Sequence, residues 1–98
     1  MIVYLKKSEK TNKKWMVSID DKKIYFGQKG SSDFTINKDT KRKELYISRH
    51  KSRENWTKSG IRTAGFWSRW LLWEKKTISE AIKNIEQKFN ISIKVLNN

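Results

Sequence analysis

Apolar residues near the N-terminus recur with the spacing of β-strands. In the stretch KWMVSI, Trp15, Val17 and Ile19 alternate with other residues, which indicates a strand with one buried face. The stretch KKIYFG follows after only Asp20 and Asp21, so the two stretches predict a β-hairpin with a two-residue turn. The stretch MIVYLK at the start is also rich in β-branched and aromatic residues. We expect strands at about residues 2–6, 14–19 and 22–27.

A basic stretch with helical spacing follows, from about residue 38. Its main apolar residues are Leu45 and Tyr46, so the apolar stripe is narrow and most of the helix faces water. This pattern predicts a surface helix over about 38–54. Between Lys38 and Arg62 there are nine basic and three acidic residues, which makes this part of the chain strongly positive.

Four of the five tryptophans lie within 21 residues, from Arg53 to Trp73. Phe66, Trp70 and Trp73 stand at i, i+4 and i+7, which predicts a short helix over about 64–73. Almost every position in this stretch is apolar, so the helix should be buried on most sides. We therefore assign these tryptophans mainly to the core of the fold.

The last elements have the clearest pattern. Thr77 and Glu80 form a capping box ahead of apolar residues at helical spacing, which predicts a helix over about 78–89. Alternating apolar residues then predict a strand at about 91–96. The whole pattern predicts one α+β domain over residues 1–98. We expect a small antiparallel β-meander of three N-terminal strands plus the C-terminal strand, packed with about three helices.

The charge of the chain bears on its binding partner rather than on its fold. The chain has 23 Lys and Arg against 10 Asp and Glu, a net charge of +13. Such an excess attracts polyanions such as nucleic acid, although lysine-rich composition from an A+T-rich genome is an alternative source of it. With no cysteine, the chain cannot form a disulfide or use a thiolate. We expect no signal peptide and no membrane span, because the longest dense apolar stretch is Phe66–Trp73.

Residues for catalysis or metal binding are scarce. Asp20 and Asp21 are adjacent, so they are better explained as a turn than as an acid–base pair. His50 is the only histidine and has no cysteine partner for a metal. The segment Gly27–Gly30 lacks the spacing of a phosphate-binding loop. We therefore expect no enzymatic activity, no metal and no cofactor.

The basic helix and the residues after it are the candidate binding site. Arg42, Arg49 and Arg53 are seven and four residues apart, so on a continuous helix they fall roughly on one side and can contact phosphates. An ordinary solvated helix face is the alternative. Trp56 is the tryptophan least explained by periodicity, and it can stack on a base or anchor a protein. The candidate nucleic-acid-binding residues are Lys38, Lys41, Arg42, Arg49, His50, Arg53, Trp56, Lys58 and Arg62.

The chain resembles a small family of uncharacterised proteins from nucleocytoplasmic large DNA viruses, of the chlorella-virus-like and mimivirus-like kind. The resemblance rests on ENWTKSGIRTAGFWSRWLLWEKKTISEAIKNIEQKF, with YISRHKSR and IDDKKIYFGQKGSSDFT before it, and covers about residues 15–90. The string TAGFWSRWLLW is its most specific part. Family members tend to have proline near position 76, where this chain has Lys76. The resemblance implies a viral origin and a location in the host cytoplasm or in the virion, and it implies no activity.

Two functions fit these observations. The first is a small basic viral accessory protein that binds nucleic acid non-specifically through the basic helix. One version of this hypothesis adds that the protein is packaged in the virion. The second is a virion structural or scaffold protein that contacts other viral structural proteins through the aromatic segment and the hairpin. The net charge favours the first, and the surplus of tryptophan favours the second.

Overall fold

A four-stranded sheet forms one layer of the molecule. The computed structural model describes residues 1–97. The strands have the spatial order β3-β2-β1-β4, and the helices described below make the fold α+β, as the sequence predicts. The strands are β1 (Ile2–Lys7), β2 (Lys13–Ile19), β3 (Lys22–Gln28) and β4 (Ser92–Val95).

The predicted hairpin between β2 and β3 is confirmed. Ile19 pairs with Lys22, which leaves Asp20 and Asp21 as the two-residue turn. Their φ angles are 48° and 68°, the left-handed values that this kind of hairpin turn requires at both positions. Aspartate tolerates this conformation better than most residues, so the pair serves as a turn signal without a glycine.

The C-terminal strand joins the sheet in a parallel direction. The first three strands form the expected antiparallel meander, but β4 runs parallel to β1, with Ile2 opposite Ser92 and Leu5 opposite Val95. The sheet is therefore mixed rather than wholly antiparallel. The chain reverses at Asn90, whose φ of 55° ends the preceding helix and returns the backbone along β1.

Among residues 1–97, four α-helices and one 3₁₀ turn connect the strands and cover one face of the sheet. The helices are α1 (Phe34–Asn37), α2 (Thr40–His50), α3 (Ala64–Trp67) and α4 (Ile78–Phe89), and the 3₁₀ turn is Lys58–Gly60. The predicted bounds of α4 are confirmed. Its cap is also as expected, since the Thr77 hydroxyl accepts from the Glu80 backbone N–H at 3.1 Å.

The basic helix is shorter than predicted at both ends. Lys38 has a φ of 53° and ends α1, so it cannot begin a helix. The Asp39 carboxylate caps α2 instead, and the helix therefore starts at Thr40. At the other end, the backbone N–H of Arg53 donates to the His50 carbonyl at 3.0 Å, a tight turn that closes the helix at His50. The prediction of a helix over 38–54 is wrong on these flanks.

The tryptophan-rich helix is confirmed in position but changes its winding. It begins as α3 after Thr63, whose hydroxyl accepts from the Phe66 N–H. From Ser68 to Leu72 it continues as one turn of π-helix. A π turn inserts an extra residue per turn, so the side chains after Trp67 are rotated away from the spacing of an ideal α-helix.

The core lies between one face of the sheet and the helices α3 and α4. The assignment of the tryptophans to the core is confirmed, because Trp67 is fully buried and Trp70 and Trp73 pack against the same cluster. The indole N–H of Trp67 donates to the Ile61 carbonyl at 2.7 Å, so its polar atom is satisfied. Within residues 1–97 no helix is long and apolar enough to cross a membrane.

Candidate nucleic-acid interface

Helix α2 presents one side to a groove of about 740 Å³. The positions that line it follow the spacing i, i+3, i+4, i+7 and i+8, which is one face of an α-helix. Arg42 and Arg49 are exposed, so their guanidinium groups are accessible to a ligand in the groove. The α2 residues of this lining are Arg42, Leu45, Tyr46, Arg49 and His50.

The start of α2 is fixed by Asp39. Its Oδ1 atom accepts from the backbone N–H groups of Lys41 at 3.0 Å and Arg42 at 3.3 Å. These are two of the helix N–H groups that otherwise lack a partner, and satisfying them stabilises the first turn. Asp39 therefore stabilises the turn that carries Arg42, a residue of the groove lining.

The opposite wall of the groove comes from the sheet and from the start of α3. Lys13 and Lys14 at the beginning of β2 face α2 across the opening. Lys14 is held in place by Asp33, with 2.7 Å between Nζ and Oδ2. The floor is apolar and aromatic, formed by Phe26, Leu72, Tyr46 and Trp73.

The groove has an excess of available positive charge. It is lined by four basic and two acidic residues: Lys13, Lys14, Arg42, Arg49, Asp33 and Glu54. Both carboxylates already have protein partners, because Asp33 pairs with Lys14 and Glu54 accepts from the His50 ring at 2.8 Å. The other three basic side chains form no ion pair within 4.0 Å in the described chain. An anion entering the groove would meet these three charges first.

An aromatic stack behind α2 holds the helix against the rest of the protein. The Tyr46 ring is parallel to Trp73 at 4.6 Å between centroids and stacks on His50 at 4.4 Å. Burial, together with the charge of Glu54, raises the pKa of Tyr46 above its ordinary value, so the phenol stays neutral. Such stacked pairs stabilise by about 0.5–1.5 kcal/mol beyond the area they bury. The position of α2, and therefore of its arginines, depends on this stack.

Trp56 belongs to the same packing. Its indole N–H donates to Glu54 Oε1 at 3.0 Å, and its backbone carbonyl accepts from the Trp70 indole at 2.9 Å. The Arg69 guanidinium lies 5.3 Å from the Trp56 ring and 4.4 Å from the Trp70 ring, a cation–π arrangement. The Trp56 ring is thus half-buried and contacts Glu54 and Arg69.

The groove brings together three of the nine predicted site residues. Arg42, Arg49 and His50 line it, and Arg53 does not because it lies beyond the end of α2. Arg62 pairs with Asp20 at the tip of the hairpin. The six predicted residues outside the lining are Lys38, Lys41, Arg53, Trp56, Lys58 and Arg62.

The sequence reasoning missed Lys13, Lys14 and Glu54 as parts of this site. A signal for Glu54 existed, because it stands four residues after His50, a spacing at which side chains on a helix meet. Lys14 begins a predicted strand and Lys13 directly precedes it, and only the tertiary fold brings these two residues opposite α2. Among residues 1–97 no group of three or more His, Cys, Asp or Glu side chains is placed to hold a metal ion.

Comparison with known proteins gives one partial match. No curated protein and no solved structure matches the chain. The model of a family described as a family of unknown function (DUF5754) matches residues 3–50, which include β1 from Val3 onward, β2, β3 and helices α1 and α2. The N-terminal half of this chain, including the basic side of the groove, is thus similar to that family of unknown function.

Proposed function

We propose that the protein is a small basic accessory protein that binds nucleic acid without sequence preference, through the groove between α2 and β2. The observation that carries the proposal is uncompensated positive charge on both walls of the groove. Arg42 and Arg49 lie on one wall and Lys13 on the other, and none of the three has an ion pair within 4.0 Å among residues 1–97. Nucleic acid carries phosphate groups at regular intervals, so it can contact the cations on both walls of the groove.

The overall charge supports the same role. Among residues 1–97, ion pairs within 4.0 Å engage four lysines and arginines, namely Lys14, Lys43, Arg62 and Arg69. The chain has 23 such residues against 10 acidic ones, so its positive charge far exceeds what these pairs compensate. Phosphate contacts give affinity without reading sequence, which is why the proposal is non-specific binding.

A salt titration tests the proposal. Fluorescence anisotropy with a labelled 20-nucleotide DNA should show binding at about 50 mM salt that weakens steeply as salt rises. The double variant Arg42→Gln/Arg49→Gln should bind about tenfold more weakly and reduce the slope of log K against log salt by about two. The matched control is Lys76→Gln/Lys83→Gln, which removes the same charge from exposed positions outside the groove.

Two results would overturn the proposal. The first is the absence of DNA or RNA binding at about 50 mM salt. The second is an equal loss of affinity in the control variant, which would mean that net charge acts without a defined site.

The viral setting is part of the proposal and rests on the resemblance of TAGFWSRWLLW and its flanks. We place the protein in the host cytoplasm or packaged in the virion, without a catalytic role. Mass spectrometry of purified particles tests the packaging, and absence of the protein from particles would contradict it. The scaffold alternative was suggested by the surplus of tryptophan. Trp67 lies in the core and Trp70 and Trp73 pack against it, so these three tryptophans contribute to the fold.

A further inference from the structure

The sheet has a second face that the helices leave uncovered. Along β1 the burial alternates, with Val3 and Leu5 fully buried and Ile2 and Tyr4 50% and 40% exposed. Successive side chains on a strand point to opposite faces, so Ile2 and Tyr4 lie on the side away from α3 and α4. We call this side the open face.

Two tyrosines share the open face. Tyr4 pairs with Ser18 across β1 and β2, and Tyr25 pairs with Met16, two residues along the same strand. Because paired residues point to the same side of a sheet, both phenol rings belong to this face. Met16 lies between them and is only 4% exposed, since neighbouring side chains cover it. The open face therefore carries two aromatic rings.

Lysines occupy the same face. Lys6 pairs with Met16, Lys23 with Ser18 and Lys94 with Tyr4, so all three are on the open side. Lys10 reaches the face from the following turn, with its Nζ 4.0 Å from the Tyr25 ring centroid. Lysines from β1, β3 and β4 therefore lie around the tyrosines, whereas β2 contributes Met16 and Ser18 to this face.

One carboxylate also faces this surface. Glu9 accepts a hydrogen bond from the Tyr25 hydroxyl, and this bond, with the nearby charges of Lys6 and Lys23, lowers the pKa of Glu9. The negative charge of Glu9 is thus compensated by Lys6 and Lys23. Tyr25 is fixed by Glu9 and covered on one side by Lys10, whereas Tyr4 has no ring contact with another aromatic or cationic group within residues 1–97.

We infer that the open face is a platform for single-stranded nucleic acid, on which an unpaired base stacks on Tyr4 while Lys6, Lys23 and Lys94 contact phosphates. Exposed aromatic rings on a sheet bind bases by their faces, and only an unpaired strand offers those faces. The inference rests on the proposed function and goes further, because it names the strand state of the ligand and a surface separate from the groove.

Charge complementarity selects this occupant over a second copy of the chain. The exposed apolar residues on this face, Ile2 and Tyr4, would also suit a protein contact. Two copies meeting through the open face would bring the same lysines against each other, and like charges brought together in an interface cost several kcal/mol. A polyanion with apolar, planar bases satisfies both the lysines and the rings.

Binding of single strands and duplexes by variants of Tyr4 tests the inference. The probes are a labelled dT20 and a 20-base-pair DNA duplex, compared by anisotropy at one salt concentration and in a salt series. Tyr4→Ala should weaken dT20 binding about 5- to 100-fold, because one stacking contact is lost. The same variant should leave duplex affinity and the salt slope unchanged, because it alters no charge. Tyr4→Phe keeps the ring and should bind dT20 like the wild type.

The possible results separate this inference from the proposed function. If the wild type binds neither probe, the proposed function fails and the inference fails with it. If it binds both probes in a salt-dependent manner and Tyr4→Ala changes neither, only the inference is overturned. If Tyr4→Ala instead changes the oligomeric state in sedimentation velocity and leaves dT20 binding intact, the open face is a self-association surface and the inference is also overturned. Thermal denaturation of Tyr4→Ala and Tyr4→Phe checks that both are folded.

Discussion

The carboxylate of Glu54 lies directly over Gly65, so closely that a Cβ on Gly65 would be 2.6 Å from Glu54 Oε1. Glu54 cannot move away freely, because its oxygens accept from the His50 ring at 2.8 Å and the Trp56 indole at 3.0 Å. The contact joins the chain after α2 to the first turn of α3. Since Glu54 and Gly65 both line the groove, this contact also shapes the candidate site.

Gly65→Ala should therefore destabilise the protein by about 1–2 kcal/mol, because the added methyl displaces Glu54 from its hydrogen bonds. Chemical denaturation of the single variants and of the double variant Gly65→Ala/Glu54→Ala checks this. In the Glu54→Ala background the same glycine substitution should cost at least about 0.5 kcal/mol less, since the obstructing oxygen is absent. Additive effects of the two substitutions would contradict the contact.

We expect Gly60→Ala and Gly30→Ala to destabilise the protein for different physical reasons. A Cβ at Gly60 would be 2.1 Å from the Asn55 carbonyl oxygen, a backbone atom that cannot rotate away. Gly30 has open space but a φ of 89°. We expect Gly60→Ala to cost about 3 kcal/mol or more and Gly30→Ala about 1–2 kcal/mol. Urea denaturation ranks the two, and equal stabilities would contradict the close approach at Gly60.

The elements that could be predicted from sequence are those whose signals are local. The capping box at Thr77 and the apolar spacing after it give the bounds of α4, and the two aspartates give the hairpin turn. The ends of α2 could not be read in the same way, because Lys38 and Arg53 continue the basic composition of the helix on both sides. What ends the helix is backbone geometry, the left-handed Lys38 and the tight turn at His50.

The candidate site was predictable only where it lies on one element. Arg42, Arg49 and His50 share a helix face, and their spacing alone is enough to group them. Lys13 comes from a strand about 30 positions earlier, and only the tertiary fold places it across the groove. The parallel pairing of β4 with β1 was missed for the same reason, since a pattern of alternation does not report strand direction.

The cap of α2 should matter for binding as well as for stability. Asp39→Ala removes the acceptor for the Lys41 and Arg42 N–H groups and should cost about 1 kcal/mol. Fraying of the first turn should also weaken DNA binding, because the orientation of Arg42 depends on it. Asp39→Asn is the matched control, because it removes the same charge but keeps a side-chain oxygen that can cap α2, so it should retain both stability and affinity. Thermal denaturation and anisotropy measure the two effects, and equal loss of affinity in both variants would contradict a role for the cap of α2.

Glu74 should give the protein an acid-sensitive stability. Burial raises its pKa, but the hydrogen bond and charge of Arg69 and the charge of Lys43 outweigh burial, so the pKa lies below its ordinary value of 4.5. A carboxyl whose pKa is lowered by folding stabilises the protein above its unfolded pKa, and this stability is lost as pH falls through the folded pKa.

Glu74→Gln should therefore cost about 1–2 kcal/mol at pH 7, and the difference from wild type should shrink as pH falls from the unfolded pKa of 4.5 through the lower folded pKa. Urea denaturation at pH 7 and at several acidic pH values measures this. Glu44→Gln is the control, because Glu44 is exposed and makes no ion pair within 4.0 Å in the described chain. A cost for Glu74→Gln that is the same at every pH would show that lost packing, rather than the ion pairs with Arg69 and Lys43, is responsible.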